Sequence, residues 1–112
     1  MNEPATEAAF ERLADDTLRR MVDALADLDD ERLEADLESG VLTVRYEDGA
    51  RHVVNSHRAA RQIWFAADAS AWHFSWDGAS WRSTRGPEEL WALVSERVGR
   101  RLGRAVRLGP AS

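Results

Sequence analysis

Apolar residues first recur at helical spacing along this chain and then switch to strict alternation. Phe10, Leu13, Ala14, Leu18, Met21, Leu25 and Leu28 fall on one stripe. That stripe predicts an amphipathic helix from about Pro4 to Asp29, with Pro4 suited to its first turn. On a helical wheel, Asp16, Asp23, Asp27 and Asp30 share a narrow arc on the opposite side. Beyond them Leu33, Ala35 and Leu37 alternate with Glu34, Asp36 and Glu38, the pattern of a strand with one buried face and carboxylates on the other.

Turn residues then punctuate a series of short strands. Ser39-Gly40 leads into Val41 to Tyr46, with Leu42, Val44 and Tyr46 on one face. Glu47-Asp48-Gly49 leads into Arg51 to Asn55. In Gln62 to Ala66, Ile63 and Phe65 face a core while Gln62 and Trp64 point away. Trp72, Phe74 and Trp76 alternate with His73 and Ser75, and Asp77-Gly78 precedes a short strand at Trp81 to Ser83. Such brief connections require antiparallel pairing, since parallel strands need long crossovers. A second helix, about Pro87 to Leu102, carries Leu90, Leu93, Val94, Val98 and Leu102 on its buried stripe and acids at its start. Arg97 and Arg101 fall inside that stripe, so their stems must pack while their heads reach out. Val106 and Leu108 in the tail are placed to cover an open edge of the core. The expected fold is α+β, one domain over residues 1–112, with two terminal helices packed on one face of a five- to six-stranded antiparallel sheet.

Composition narrows the class. With 112 residues, 44% apolar and 31% charged, the chain can bury a core and is not compositionally disordered. It has no apolar run of membrane-spanning length, and its acidic first 30 residues do not resemble a signal or transit peptide, so a cytoplasmic domain without membrane contact is expected. The expected state is a monomer, with oligomers forming where metal drives them. The absence of cysteine excludes a disulfide scaffold, a thiolate metal site and a thiol nucleophile. Residues 1–38 hold thirteen acids and four arginines, a net −9, whereas residues 39–112 hold seven acids and eleven arginines, a net +4. The acidic end disfavours nucleic acid.

Exposed carboxylates are hard oxygen ligands suited to iron, calcium, magnesium or manganese. Asp16, Asp23, Asp27 and Asp30, followed by Glu31, Glu34 and Asp36, can form a shallow, open, weak site; a plain solvated helix face is the competing reading. Crowding of like charge should raise some of their pKa values. There is no EF-hand spacing, glycine-rich phosphate loop or nucleophile elbow, and the three histidines, expected on or beside three different strands, lack zinc spacing. An enzyme is therefore not expected. On the outer sheet face, Trp64 with Gln62, Asn55 and His73 has the composition of a protein-binding hot spot, unless a second layer or the tail covers it.

Certain segments, taken together, resemble the bacterial form of the frataxin family. They are Phe10-Glu11-Arg12-Leu13-Ala14-Asp15, Ser39-Gly40-Val41-Leu42-Thr43-Val44, Val54-Asn55 followed by Gln62-Ile63-Trp64, His73-Phe74, Gly78 to Trp81, and Leu90-Trp91-Ala92-Leu93-Val94. The resemblance runs from about Phe10 to Leu108. It implies a helix–sheet–helix sandwich whose acidic ridge binds iron weakly and meets a basic surface of a cysteine desulfurase, and whose tryptophan-bearing face meets the scaffold protein of iron–sulfur cluster assembly. Carried over by residue, the ridge is Asp16, Asp23, Asp27, Asp29, Asp30, Glu31, Glu34 and Asp36. The scaffold contact is Asn55, Gln62 and Trp64. The family often has glutamine where His57 stands and proline where Ala59 stands. The expected role is an iron-dependent adaptor of the cluster-assembly machinery. The alternative is an acidic interaction module without a physiological metal; an iron-oxidising enzyme would need a defined buried site.

Overall fold

The computed structural model describes residues 6–109. Helix α1 runs over Glu7–Ala26, followed by β1 (Leu33–Glu38), β2 (Val41–Tyr46), β3 (Arg51–His57), β4 (Gln62–Ala67), β5 (Ser70–Trp76), β6 (Trp81–Ser83) and α2 (Leu90–Leu102). The strands form one antiparallel meander in chain order, β1 to β6, and both helices pack on the same face of it. That matches the expected α+β sandwich, with six strands.

Helix boundaries differ from the sequence expectation for local reasons. Thr6 caps α1, its hydroxyl accepting the Ala9 amide at 3.0 Å; Pro4 lies outside the described residues. The helix stops at Ala26 with Asp27 as its C-cap, so Asp29 and Asp30 sit in the following turn and Asp30 does not share the helical arc of the other aspartates. Asp29 takes a left-handed φ of 51° there. Helix α2 starts three residues later than its Pro87 signal suggests. The Ser83 amide bonds to the Glu88 carbonyl at 2.9 Å, and Glu89 bridges Arg82, so this segment first extends the sheet. Glu89 then caps α2, accepting the Trp91 and Ala92 amides, each at 3.1 Å.

The inner face is buried as the alternation demands: Leu42, Val44, Val54, Ile63, Phe65 and Phe74 are all at most 1% exposed. Trp81 joins α1 to the far edge of the sheet, edge-to-face with Phe10 at 6.0 Å and donating its indole N–H to the Thr17 hydroxyl at 3.1 Å. Arg97 and Arg101 lie with their guanidinium groups over Trp72 and Tyr46, at 5.0 and 5.4 Å from the ring centroids; the expected outward reach is only partial for Arg97, whose Nε is buried without a hydrogen-bond partner among the described residues. The tail docks as expected. Leu108 is buried, its amide donating to the Ser95 hydroxyl at 2.8 Å. Gly99 allows this approach, because a Cβ there would lie 2.7 Å from the Arg104 carbonyl.

Candidate functional site

The acidic ridge spans the exposed side of α1, the α1–β1 turn and the outward row of β1, but its carboxylates are not equivalent. Asp16 pairs with Arg20 at 2.9 Å, one helical turn on. Asp36 pairs across the hairpin with Arg45 at 2.6 Å. Asp30 is held by a two-pronged clamp, with Arg32 Nε donating to Oδ1 at 2.9 Å and Nη2 to Oδ2 at 2.7 Å, while Arg104 Nε lies 3.4 Å away. The remaining Nη1 of Arg32 donates to the Leu102 carbonyl at 2.8 Å, so the clamp also ties β1 to the end of α2. Asp23, Asp27, Asp29, Glu31 and Glu34 form no ion pair among the described residues.

At Asp30 a local clamp outweighs the crowding of like charge. Crowding does not lift the pKa of Asp30; the hydrogen bonds from the Arg32 side chain hold its carboxyl well below the usual carboxylate range, with the Arg32 amide and Arg104 adding to the effect. Asp29, Asp30, Glu31 and Glu34 line one open hollow of about 330 Å³ between the end of α1 and the start of β1. Asp16 and Asp23 on α1, its C-cap Asp27 and the hairpin Asp36 are not among the residues lining it. Among the described residues, no three histidine, cysteine, aspartate or glutamate side chains converge as a ready-made metal cage. The donor set fits a hard cation that keeps most of its water.

On the outer face, strand register sets Asn55 opposite Trp64 and Trp64 opposite His73, with His57 opposite Gln62 two pairs along. The four predicted contact residues thus lie side by side. Two features qualify the expectation of a bare outward-facing tryptophan. Trp64 is half-buried rather than largely open, because His57 and His73 stack on its two faces with centroids 4.0 and 4.2 Å away and rings within 15° of parallel. Its indole N–H is also spent, donating to the Gln62 carbonyl oxygen at 2.8 Å. His57 reaches Trp64 diagonally across β3 and β4, and its Nδ1 accepts the Ala60 amide at 3.3 Å, which places the ring proton on Nε2. Sequence reasoning left His57 out of this surface; extending β3 by one strand period to His57 would have shown it. Val41, 36% exposed and registered opposite Asn55, is the apolar neighbour it also missed.

His52 is a different case. It shares β3 with His57 but points inward, so the histidines occupy two strands and not three. Only 1% exposed, it sits with Nδ1 3.0 Å from the Tyr46 hydroxyl and Nε2 3.4 Å from Asp68. Arg97 and Arg101 approach the same Asp68 at 3.8 and 3.9 Å. Burial pushes the imidazole pKa down, against the pull of Asp68, and pushes the Tyr46 hydroxyl pKa up. This is a structural network: His52 and Tyr46 are buried, and Asp68 with the two arginines forms its solvent-facing edge.

Known proteins share this fold. A frataxin-like domain model matches residues 3–104. The iron-sulfur cluster assembly protein CyaY of Dechloromonas aromatica is 39% identical over 103 residues, covering 91% of this chain and 97% of that protein. Among solved structures, the frataxin of Psychromonas ingrahamii superposes with a TM-score of 0.85 at 18% identity, covering 97% of this chain and 99% of that one. The trimeric frataxin of Saccharomyces cerevisiae follows with a TM-score of 0.72 at 25% identity, covering 81% and 79%. With its meander, its two same-side helices and a family match across nearly its whole length, the chain belongs to the frataxin family.

Proposed function

We propose that this chain is a non-catalytic adaptor of iron–sulfur cluster assembly. It takes up iron weakly on its acidic ridge, offers that ridge to the basic surface of a cysteine desulfurase, and meets a scaffold protein through the face around Trp64. The family and the cluster-assembly role named for the Dechloromonas aromatica relative support this reading. The observation that carries it is the set of five ridge carboxylates, Asp23, Asp27, Asp29, Glu31 and Glu34, that no arginine neutralises although arginines are abundant elsewhere. Exposed carboxylates release a hydrated cation readily, which suits a delivered or sensed ion and not a stored one. Iron is cargo in this reading, other divalent cations compete for it, and no catalytic step is assigned to the chain.

A metal-independent docking role has one specific observation in its favour: Asp16, Asp30 and Asp36 are already paired with arginines. Anaerobic titration with ferrous ion, followed by NMR with and without excess calcium, separates the two. Selective broadening at the five unpaired acids supports iron uptake. Uniform or absent broadening, together with desulfurase binding that iron does not change, overturns it in favour of the docking module.

A further inference from the structure

Away from the carboxylates of the ridge hollow, the middle of α1, the β5–β6 turn and the first turn of α2 enclose a mostly apolar pocket of about 420 Å³. Three of the five tryptophans line it: Trp81 and Trp91, both nearly buried, close its inner side, and the half-buried Trp76 flanks them. The rings of Trp76 and Trp81 meet at 63° with centroids 5.3 Å apart, which makes an aromatic corner. We propose that this pocket binds a small organic cation with an apolar body, of the alkylated ammonium or guanidinium class.

Polar groups around the pocket decide the ligand class. The Thr17 hydroxyl is occupied, accepting from Trp81 and donating to the Leu13 carbonyl at 2.9 Å, so it offers a neutral ligand little. The Ser80 hydroxyl is likewise turned to Asp77, at 3.4 Å, which leaves charge as the main polar feature of the lining. Asp16 and Glu89 stand at the rim against one cation, Arg20. The Asp16–Arg20 pair is solvent-exposed and weakly held, so Asp16 can turn to a competing cation. Glu89 is fixed by the two α2 amides it caps and keeps its charge in place. Two carboxylates exclude anions, and electron-rich indole rings favour a cation over its neutral isostere. The chain already uses this chemistry internally, with Arg97 over Trp72 and Arg101 over Tyr46. The site depends on neither iron uptake nor scaffold docking.

Choline is a suitable probe, titrated into the isotope-labelled full chain while the indole N–H signals are followed. The expected result is a saturable shift of the Trp76, Trp81 and Trp91 signals, with those of Trp64 and Trp72 unmoved. The neutral isostere, with carbon in place of the quaternary nitrogen, should bind at least about five-fold more weakly. Trp76→Leu should weaken choline binding about ten-fold, and Asp16→Asn about three-fold, with both variants shown to be folded by their thermal melts. Arg20→Gln should tighten it. The proposal is overturned by the absence of a saturable shift, by equal binding of the isostere, or by a folded Trp76→Leu protein that binds as the parent does.

Discussion

Acid should loosen this domain through one buried side chain, His52. Its imidazole is 1% exposed, between the Tyr46 hydroxyl and Asp68, with Phe65 edge-on at 5.9 Å and the guanidinium groups of Arg97 and Arg101 on the far side of Asp68. Desolvation lowers its pKa in the folded state, so the unfolded chain binds the extra proton first. Stability is then fully present above the unfolded histidine value of about 6.5 and declines as pH falls below it. One proton limits this slope to about 1.4 kcal/mol per pH unit. Removing one partner of the buried pair exposes the same network. Tyr46→Phe leaves Nδ1 without its hydroxyl and should cost about 1–3 kcal/mol, or roughly 4–12 °C in melting temperature for a domain of this size. His52→Leu should cost a similar amount. The double variant should cost clearly less than the two singles added, since both ends of the bond are then gone. Urea unfolding followed by circular dichroism, at pH values between 7.5 and 5, measures all four proteins. If the parent and His52→Leu lose stability in parallel over that range, His52 is not the group that couples protons to folding.

Other perturbations discriminate further. Phe74→Ala, at a fully buried site, should cost about 3–5 kcal/mol, and Trp64→Ala clearly less, while the latter weakens scaffold binding by on the order of 2 kcal/mol; equilibrium unfolding paired with a binding titration compares them. Asp23→Asn with Asp27→Asn should raise the melting temperature by relieving ridge repulsion and should weaken iron binding at the same time; a lower melting temperature would contradict this. Asp30→Asn should reduce stability at neutral pH, because the low pKa of Asp30 means that its stabilising contribution is present above the usual carboxylate range and lost as pH falls below it. Gly40→Ala should destabilise the first hairpin by about 1 kcal/mol or more, since Gly40 has φ +79° and an added Cβ would meet the Ser56 hydroxyl at 2.7 Å; thermal melts report it.

Periodicity exposed most of this fold because each element has one buried face. Leu33, Ala35 and Leu37, or Ile63 and Phe65, cannot be placed otherwise without burying Glu34 or Gln62. Where it failed, a tertiary contact competed with a local signal. Pro87 announces a helix, yet the Ser83–Glu88 backbone bond holds the chain extended until Glu89. Trp64 has the right face, but side-chain stacking by His57 and His73 is a register effect between three strands and cannot be read from one. His52 follows the same parity as Val54 and was legible as inward-facing; what was not legible is that Asp68, sixteen residues away, makes a buried imidazole tolerable there.

The ridge shows the same division most sharply. Thirteen acids in the first 38 residues define a negative end from sequence alone, but which of them remain available is decided by arginines placed by the fold. Arg45 lies on the neighbouring strand, and Arg104 comes from just beyond α2. Arg32 does more than neutralise Asp30. Its third contact, to the Leu102 carbonyl, satisfies an acceptor at the C-terminal end of α2, where the helix dipole also favours a cation. Asp30 therefore serves the join between β1 and α2 and is a poor choice of metal ligand, because binding a cation there would first have to break two charged hydrogen bonds. Asp23, Asp27, Asp29, Glu31 and Glu34 carry no such structural duty. Their mutual repulsion is unrelieved by any ion pair among the described residues, and a cation or a basic partner surface would lower it. A ridge left partly unpaired in this way would gain stability from a cation or a basic partner bound to it.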